Sequence, residues 1–402
     1  MEFEFVENQK AARIKVIGIG GAGNNAVNNM IASGLSGVAF IAANTDLQAL
    51  ENNTAPTKLQ LGATLTKGLG CGANPEVGRE AALEDLEKIH DTLSDSDMIF
   101  LTVGMGGGTG TGGAPVIAEA LHGMDQAPLT VAVVTKPFHF EGKRRMRQAE
   151  EGIERLKEYA DTIISIPNNR LIAMAPRGCG LKEAFKMADD VLMQAVKGVS
   201  DLILVPGLIN LDFADAQTVM ARKGMALMGT GMASGPDRST VAAEKAVSSP
   251  LLDDISVKGA QGLLINIASA EDNISLDEVD EACSLIQQEV HEDATVIFGV
   301  AWDNSLGDNI RITVIATGIG QKRNEERIVT LESADILDRP VVPTLEEIHQ
   351  DRTGEYDRPS KERQGKTNIS QIKQPRYTNF EEVFSGVDED LEKPTFMRRQ
   401  AD

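Results

Sequence analysis

The sequence holds 402 residues, 42% of them apolar and 25% charged, a balance typical of a globular chain with room for two domains. Aromatics make up only 4%, so the core must be built from Val, Ile, Leu, Ala and Met. A formal charge of −21 argues against nucleic-acid binding, which needs a basic footprint. In such a chain an anion is best held by backbone N–H groups and a metal ion, not by a lysine cluster.

The acidic start, MEFEFVENQK, does not read as a signal peptide, and no window reaches the roughly 20 apolar residues that span a bilayer. A cytoplasmic protein with no direct membrane insertion is expected. Cys71, Cys179 and Cys283 are far apart and the five histidines are scattered, so neither a disulfide framework nor a side-chain metal site is predicted.

The first strand is predicted at 13–19 (RIKVIGI), followed by a helix at 24–32 and a second strand at 38–44. Further strands follow at 97–103, 129–135 and 161–167, with helical pattern at 115–121 and a charged helix across 143–158. Strands alternating with helices predict an α/β, Rossmann-like domain with a mainly parallel sheet over 13–180, preceded by a short tail at 1–12. Apolar residues at 181, 185, 188, 192, 195, 199 and 202 recur every three or four positions. They predict one long central helix within 181–206, about 30 Å from end to end, with Gly207 as its stop.

From 207 to 319 the pattern changes to a second, smaller α+β domain. It begins with a helix at 213–224 and a glycine-rich turn, GTGMASGPDRS, and continues with strands at 262–270, 294–302 and 310–318. Ser275 and Glu278 supply a capping box for a helix reaching about 290. Residues 320–402 hold 18 acidic and 14 basic side chains with no sustained apolar period. They are expected to form a disordered linker (320–389) and a terminal docking peptide (390–402) carrying Leu391, Phe396, Met397 and two arginines.

Two glycine runs carry the chemistry. GIGGAGNN fits G-x-G-x-x-G through Gly18, Gly20 and Gly23, after a strand and opening a helix. Asp46 ends the next strand, about where a ribose-binding acid belongs in a dinucleotide site. Tight strand-to-helix packing would also demand these glycines. The second run, GGGTGTGG (Gly106, Gly107, Gly108, Thr109, Gly110, Thr111, Gly112, Gly113), again follows a strand. Pro115 suits the first position of the helix beyond it. Backbone N–H groups at that helix start can face an anion, with the threonine hydroxyls as extra donors. The only G-K-[ST], at Gly365–Thr367, lacks the upstream glycine of a phosphate loop, because Ser360 stands there.

GGGTGTGG closely resembles the signature of the tubulin/FtsZ GTPase superfamily. The chain is similar to that family's bacterial cell-division branch across 13–319 and again over its last twelve residues. The resemblance implies GTP and GDP as ligands, with Mg²⁺ held mainly through the phosphates. Gly20, Gly21, Ala22, Gly23 and Asn24 would meet the phosphates and the base edge, and Asn44 and Asp46 would lie near metal and phosphates. Gly72 and Ala73 of GLGCGANPEVG would sense the γ-phosphate beside Cys71, a small residue with no basic neighbour to activate its thiol. Glu141 and Arg145 would contact ribose and phosphate, although a plain helix-start charge pattern explains them too. Asn168, Phe185 and Asp189 would hold guanine, the carboxylate accepting from N1–H and N2–H; Phe185 also fits a core stripe.

Asp212 and Asp215, three apart at a helix start, are ordinarily explained by capping. The resemblance instead implies that Asn210, Asp212 and Asp215 are catalytic across a head-to-tail interface, serving the site of the next copy. The partners implied are the chain itself, as a homopolymer at the division site, and membrane-linked division adaptors held by 390–402. Thr395 and Met397 depart from that peptide's commoner forms, leaving the adaptor open. Two alternatives stand: a nicotinamide-dependent oxidoreductase, which leaves GGGTGTGG unexplained, and a GTP-binding regulator that does not itself divide cells.

Overall fold

The computed structural model describes residues 12–319, other than 177, 206, 253–258 and 292–293. The predicted linker and terminal peptide lie outside them, as does nearly all of the N-terminal tail.

The apolar runs become strands where expected. β1 (Ile14–Ile19) leads into α1 (Gly20–Ala32), then β2 (Val38–Asn44), α2 (Leu47–Glu51) and β3 (Thr57–Gln60). Three helices follow, α3 (Ala63–Thr66), α4 (Pro75–Glu84) and α5 (Leu86–Leu93), before β4 (Met98–Gly104) and α6 (Thr109–His122). Next come β5 (Leu129–Lys136), α7 (Lys143–Leu156), β6 (Thr162–Pro167), α8 (Asn168–Met174) and the 24-residue α9 (Leu181–Leu204). A second series contains β7 (Gly207–Ile209), α10 (Phe213–Met220), β8 (Gly224–Ala233) and α11 (Arg238–Val247). It closes with β9 (Gly262–Ser269), α12 (Leu276–Gln288), β10 (Thr295–Trp302) and β11 (Ile310–Ile319).

The strands share one sheet of order β3-β2-β1-β4-β5-β6-β8-β11-β9-β10-β7. From β3 to β6 every pairing is parallel, while β11 runs antiparallel to both β8 and β9. The parallel and mixed halves join edge to edge through a short β6–β8 ladder, Thr162↔Gly224 to Ile164↔Ala226. The strand order reverses at β1, whose neighbours β2 and β4 lead outward in opposite directions. Ligands of open α/β sheets bind at such a switch point, beyond the carboxyl ends of the strands.

Period-two alternation sends each strand's side chains to opposite faces. Val16, Phe100, Val131 and Val133 pack under α1 and α9; Ile17, Leu101 and Val103 pack under α4 to α7. The α9 stripe Val191, Leu192, Ala195, Val196 and Val199 is buried, as its spacing predicted. That same cluster includes Met228, Leu264 and Ile315 of the mixed half, so α9 spans the junction. The capping box also forms: Ser275 Oγ accepts from the Glu278 amide at 3.2 Å, and Glu278 Oε2 accepts from the Ser275 amide at 2.9 Å.

Glycine misleads in three places, for one physical reason. α6 begins at Thr109, inside the glycine run, so Pro115 sits within the helix and not at its first position. A Cβ on Gly112 would lie 1.9 Å from the Pro75 carbonyl oxygen, so these glycines let α6 press its backbone against α4. GTGMA is no turn but the second half of β8. Cβ atoms on Gly229 and Gly231 would come within 2.0 Å of the Ala246 and Ala242 carbonyls of α11. Gly207 does not stop α9, which ends at Leu204; it opens β7, where a Cβ would meet the Val300 carbonyl at 1.9 Å. α10, too, is shorter than expected, ending at Met220.

The β8–α11 contact yields a test. Gly231→Val is expected to destabilise the fold by about 2–3 kcal/mol through overpacking, seen as a lowered thermal midpoint. Gly34→Ala, at an open surface turn, serves as the control, limited to the local cost of its positive φ.

Candidate functional site

β1 passes into α1 and β4 into α6 at the switch point, and the two helix starts lie side by side. A Cβ on Gly20 (φ 74°) would stand 3.0 Å from the Gly110 amide nitrogen. Neither helix start has a side-chain cap or an acidic residue in its first turn. The adjacent α2 and α4, by contrast, are capped by Asp46 and Asn74. First-turn N–H groups have no partner within their own helix, and they concentrate positive potential. The site therefore offers two amide clusters to one anion.

The glycines here fall into two kinds. At Gly23 a Cβ would lie 2.2 Å from the Thr102 carbonyl, and at Gly108 2.6 Å from Cys71 Cβ, so these positions serve packing. At Gly21, Gly72 and Gly107 a Cβ would meet nothing within 4 Å. Those three leave open space in front of the helix starts, the room a phosphate chain requires. Gly72 and Ala73 are both left-handed (φ 55° and 58°), a costly conformation for alanine, and so the 68–74 loop is held locally strained.

The threonine hydroxyls expected as extra donors also take part in bonds within the protein, Thr111 as an acceptor that keeps its own O–H. Thr109 Oγ1 lies 2.7 Å from Thr45 Oγ1 and 3.5 Å from Cys71 Sγ, and Thr111 Oγ1 accepts from the Gly106 amide at 2.8 Å. Cys71 is buried in this tie. Asn44 Oδ1 accepts from the Thr45 and Asp46 amides at 2.9 and 3.3 Å, and Asp46 Oδ1 from the Ala49 amide at 3.1 Å. Asn44 and Asp46 thus shape the second loop directly. Glu141 accepts from the Phe138 amide at 2.9 Å and from Arg145 Nη1 at 2.8 Å, the charge pairing that the helix-start pattern suggested.

At the base end, Asn24 and Asn168 are buried. Both side-chain heteroatoms of Asn24 and the Oδ1 of Asn168 lack a partner. Orphaned buried amides are costly and rare, and a base edge bearing donors and acceptors would satisfy them. Phe185, which also fitted a core stripe, is 40% exposed. It stands edge-on to Phe138 and Phe140, with centroids 5.4 and 6.5 Å away. Sequence reasoning missed Phe138 and Phe140, although two aromatics in KPFHFE are conspicuous in a chain so poor in them. Beside them opens a cavity of about 530 Å³ lined by Leu171, Ile172, Cys179 and Leu181. Burial, with the neighbouring Asp190 charge, raises the Asp189 carboxyl to about 7. Asn29 Nδ2 donates to Asp190 Oδ1 at 2.7 Å, tying α1 to α9 here.

The acidic turn lies elsewhere. Asn210 Oδ1 accepts from the Gly207 amide and Asp212 Oδ1 from the Asp215 amide, each at 2.7 Å. Asp212 therefore does cap α10. All three polar residues are exposed, as is Leu208 next to them. The turn follows the far end of α9, whose rise from Asp189 to Leu204 alone is about 22 Å. Within one chain the two glycine-rich helix starts lie side by side, and α9 carries Phe185 and Asp189 near its first end; Asn210, Asp212 and Asp215 lie beyond its other end and do not join them. Among the described residues no group of three or more His, Cys, Asp or Glu is arranged to hold a metal ion.

The model of the tubulin/FtsZ family GTPase domain matches residues 13–176, and that of the FtsZ family C-terminal domain matches 224–320. The cell division protein FtsZ of Azotobacter vinelandii is 47% identical over 405 aligned positions, covering 100% of both chains. Its Pseudomonas aeruginosa counterpart is 46% identical, again over 100% of both. Among solved structures, an FtsZ dimer from M. jannaschii superposes with a TM-score of 0.74 at 45% identity, over 77% of this chain and 89% of that one. CetZ2 from Haloferax volcanii, at 21% identity and a TM-score of 0.64 over 77% and 94%, shares the fold.

The open glycines give a test that separates binding from folding. Gly107→Ala is expected to leave stability within about 0.5 kcal/mol of the parent. Nucleoside-triphosphate affinity should fall at least tenfold, about 1.4 kcal/mol, in a fluorescence titration.

Proposed function

The chain belongs to the tubulin/FtsZ family, and on that premise we propose that GTP bound by one copy is hydrolysed only when a second copy supplies its acidic turn. The chain is a GTPase of the cell-division type that assembles with itself. One observation carries the finer reading: Asp212 and Asp215 are exposed, and α9 separates them from the crevice that would hold their substrate. A contact joining the turn of one copy to the crevice of the next is heterologous. Repeated without closure, it builds a filament.

In that arrangement the amides of α1 and α6 bear the phosphate charge, and Asn24, Asn168, Phe185 and Asp189 hold guanine. The turn's carboxylates orient a water for in-line attack on the γ-phosphate. Mg²⁺, bound mainly by the phosphates with Asn44 and Asp46 nearby, would share the phosphoryl charge. The linker and the peptide at 390–402 would tether filaments to membrane-linked adaptors at the division site. The oxidoreductase alternative weakens, because it leaves the α6 start at GGGTGTGG and the acidic turn without a role, and residues 13–176 match the tubulin/FtsZ family GTPase domain. A purely regulatory GTP-binding role is disfavoured by the intact pair Asp212 and Asp215.

Asp212→Ala is expected to keep GTP affinity and lose turnover by about 10²-fold or more. It should also cost about 1 kcal/mol through the lost cap. Mixing it with the binding-impaired Gly107→Ala variant, at GTP concentrations that variant does not fill, should partly restore phosphate release; failure of Asp212→Ala to bind GTP would place the residue in its own subunit's site.

Asp189 predicts a pH dependence. With its carboxyl raised to about 7, the empty site holds a proton near neutrality that guanine must displace, since N1–H and N2–H donate to the ionised form. Affinity should therefore weaken as pH falls through 7, by roughly tenfold between pH 8 and 6. For the empty fold a raised carboxyl works the other way, costing stability as pH climbs from its unfolded value towards 7. Asp189→Asn should flatten the binding profile measured with labelled GDP.

A further inference from the structure

One turn of α9 is fastened to the mixed half of the sheet by an ion cluster that the site above does not use. Asp303, just past the end of β10, accepts from Arg311 of β11 at 2.8 Å, and its carboxylate lies 3.6 Å from Lys197 of α9. Lys197 also pairs with Asp201, one turn on, at 2.7 Å. Beside them Asn266 of β9 donates its side-chain amide to the Gly198 carbonyl at 2.9 Å. Gly198 itself approaches β11 so closely that a Cβ would stand 3.1 Å from Thr313. The Asp303 side chain is only 12% exposed. Burial pushes its carboxyl up, but hydrogen bonds from Ser305 and Arg311 and the charges of Lys197 and Arg311 outweigh it and bring it to about 2.

The cluster sits on a closed circuit around the acidic turn. Leaving α9, the chain is tied back by the Val205 amide to Asp201 O at 2.9 Å and the Leu211 amide to Leu202 O at 3.3 Å. β7 then pairs with β10 at Ile209↔Val300 and Gly207↔Ala301. β10 ends one residue before Asp303, which returns to α9. The turn bearing Asn210, Asp212 and Asp215 is thus suspended between α9 and β10, and Asp303 is the charged link between those two supports.

We propose that the Lys197–Asp303–Arg311 cluster, with Asn266 beside it, is a clamp that sets the position of the acidic turn, and that Asp303 is a positioning residue for GTP hydrolysis. This rests on the shared-site reading above. A carboxylate that must orient water in a neighbour's site tolerates little displacement, because misplacement by about 1 Å can cost on the order of 10²-fold. The clamp touches neither nucleotide loop, so it should act on turnover and not on nucleotide binding.

The test uses the full chain with Asp303→Asn and Asp303→Glu. Arg238→Lys, which loosens a different ion pair of the same half (Arg238 to Glu278, 2.7 Å), gauges general destabilisation. With the clamp, Asp303→Asn binds GTP within about twofold of the parent, while turnover per sedimented subunit falls at least about tenfold. Asp303→Glu should recover a substantial part of that loss, and Arg238→Lys, at an equal drop in thermal midpoint, should not reproduce it. Should Asp303→Asn not sediment alone, mixed filaments decide: their turnover per sedimented subunit falls in proportion to the Asp303→Asn fraction if the turn is misplaced and matches that of wild-type filaments if it is not. Parent-like turnover, or a loss matched by Arg238→Lys, overturns the clamp. Wild-type phosphate release strictly linear in protein concentration would instead overturn the shared-site reading, so the two failures are distinguishable.

Discussion

The segments that meet at the candidate nucleotide crevice are packed backbone against backbone, with no side chain between them. A Cβ on Gly18 would stand 2.4 Å from the Gly23 carbonyl, one on Gly23 2.2 Å from that of Thr102, and one on Gly78 2.4 Å from that of Gly108. Only glycine permits such approaches. They bring the starts of α1 and α6 so close together that their free amides address one volume. The buried tie among Thr45, Thr109 and Cys71 fixes the second loop to the same place. For a chain of net charge −21 this matters, because a polyanion must be drawn by local dipoles against an unfavourable overall field.

α9 extends that constraint across the molecule. Its first half carries Phe185 and Asp189 and is tied to α1 by Asn29 and Asp190; its last turns are held by Asp303 and Asn266. Between them runs a buried stripe covering both halves of the sheet. A rigid helix pinned at both ends keeps base recognition and acidic turn at a set separation. On the proposed reading, that separation would keep one copy's carboxylates from a nucleotide in its own crevice, and would link assembly to hydrolysis.

The long apolar strands were legible, since a buried run of Val, Ile and Leu bounded by glycines has few other uses. The stripe of α9 and the capping box of α12 were legible for similar reasons, each being a local rule with one outcome. The stretch 45–93 was not assigned: β3 and α2 to α5 are short, and their burial depends on partners distant in sequence. Glycine was ambiguous throughout, for it reports that something comes close without saying whether that is a ligand, a helix or the chain's own turn. Gly231 and Gly112 answer to a helix, Gly107 to open space. The unpartnered atoms of Asn24 and Asn168, and the clustering of Phe138 and Phe140 about Phe185, exist only in three dimensions.

Asp212 shows how a local explanation and a distant one coexist on one side chain. Its capping bond to the Asp215 amide uses Oδ1 and accounts fully for an acid at that position. The same bond holds the carboxylate through one oxygen on a turn exposed to solvent, and the other oxygen takes no part in it. A carboxylate that orients water for another molecule needs that combination: immobility without burial, and an acceptor not consumed by the fold. Capping supplies the immobility, and β7 and α9 supply the support. The stability role and the proposed catalytic role therefore do not compete, because the first provides the geometry on which the second depends.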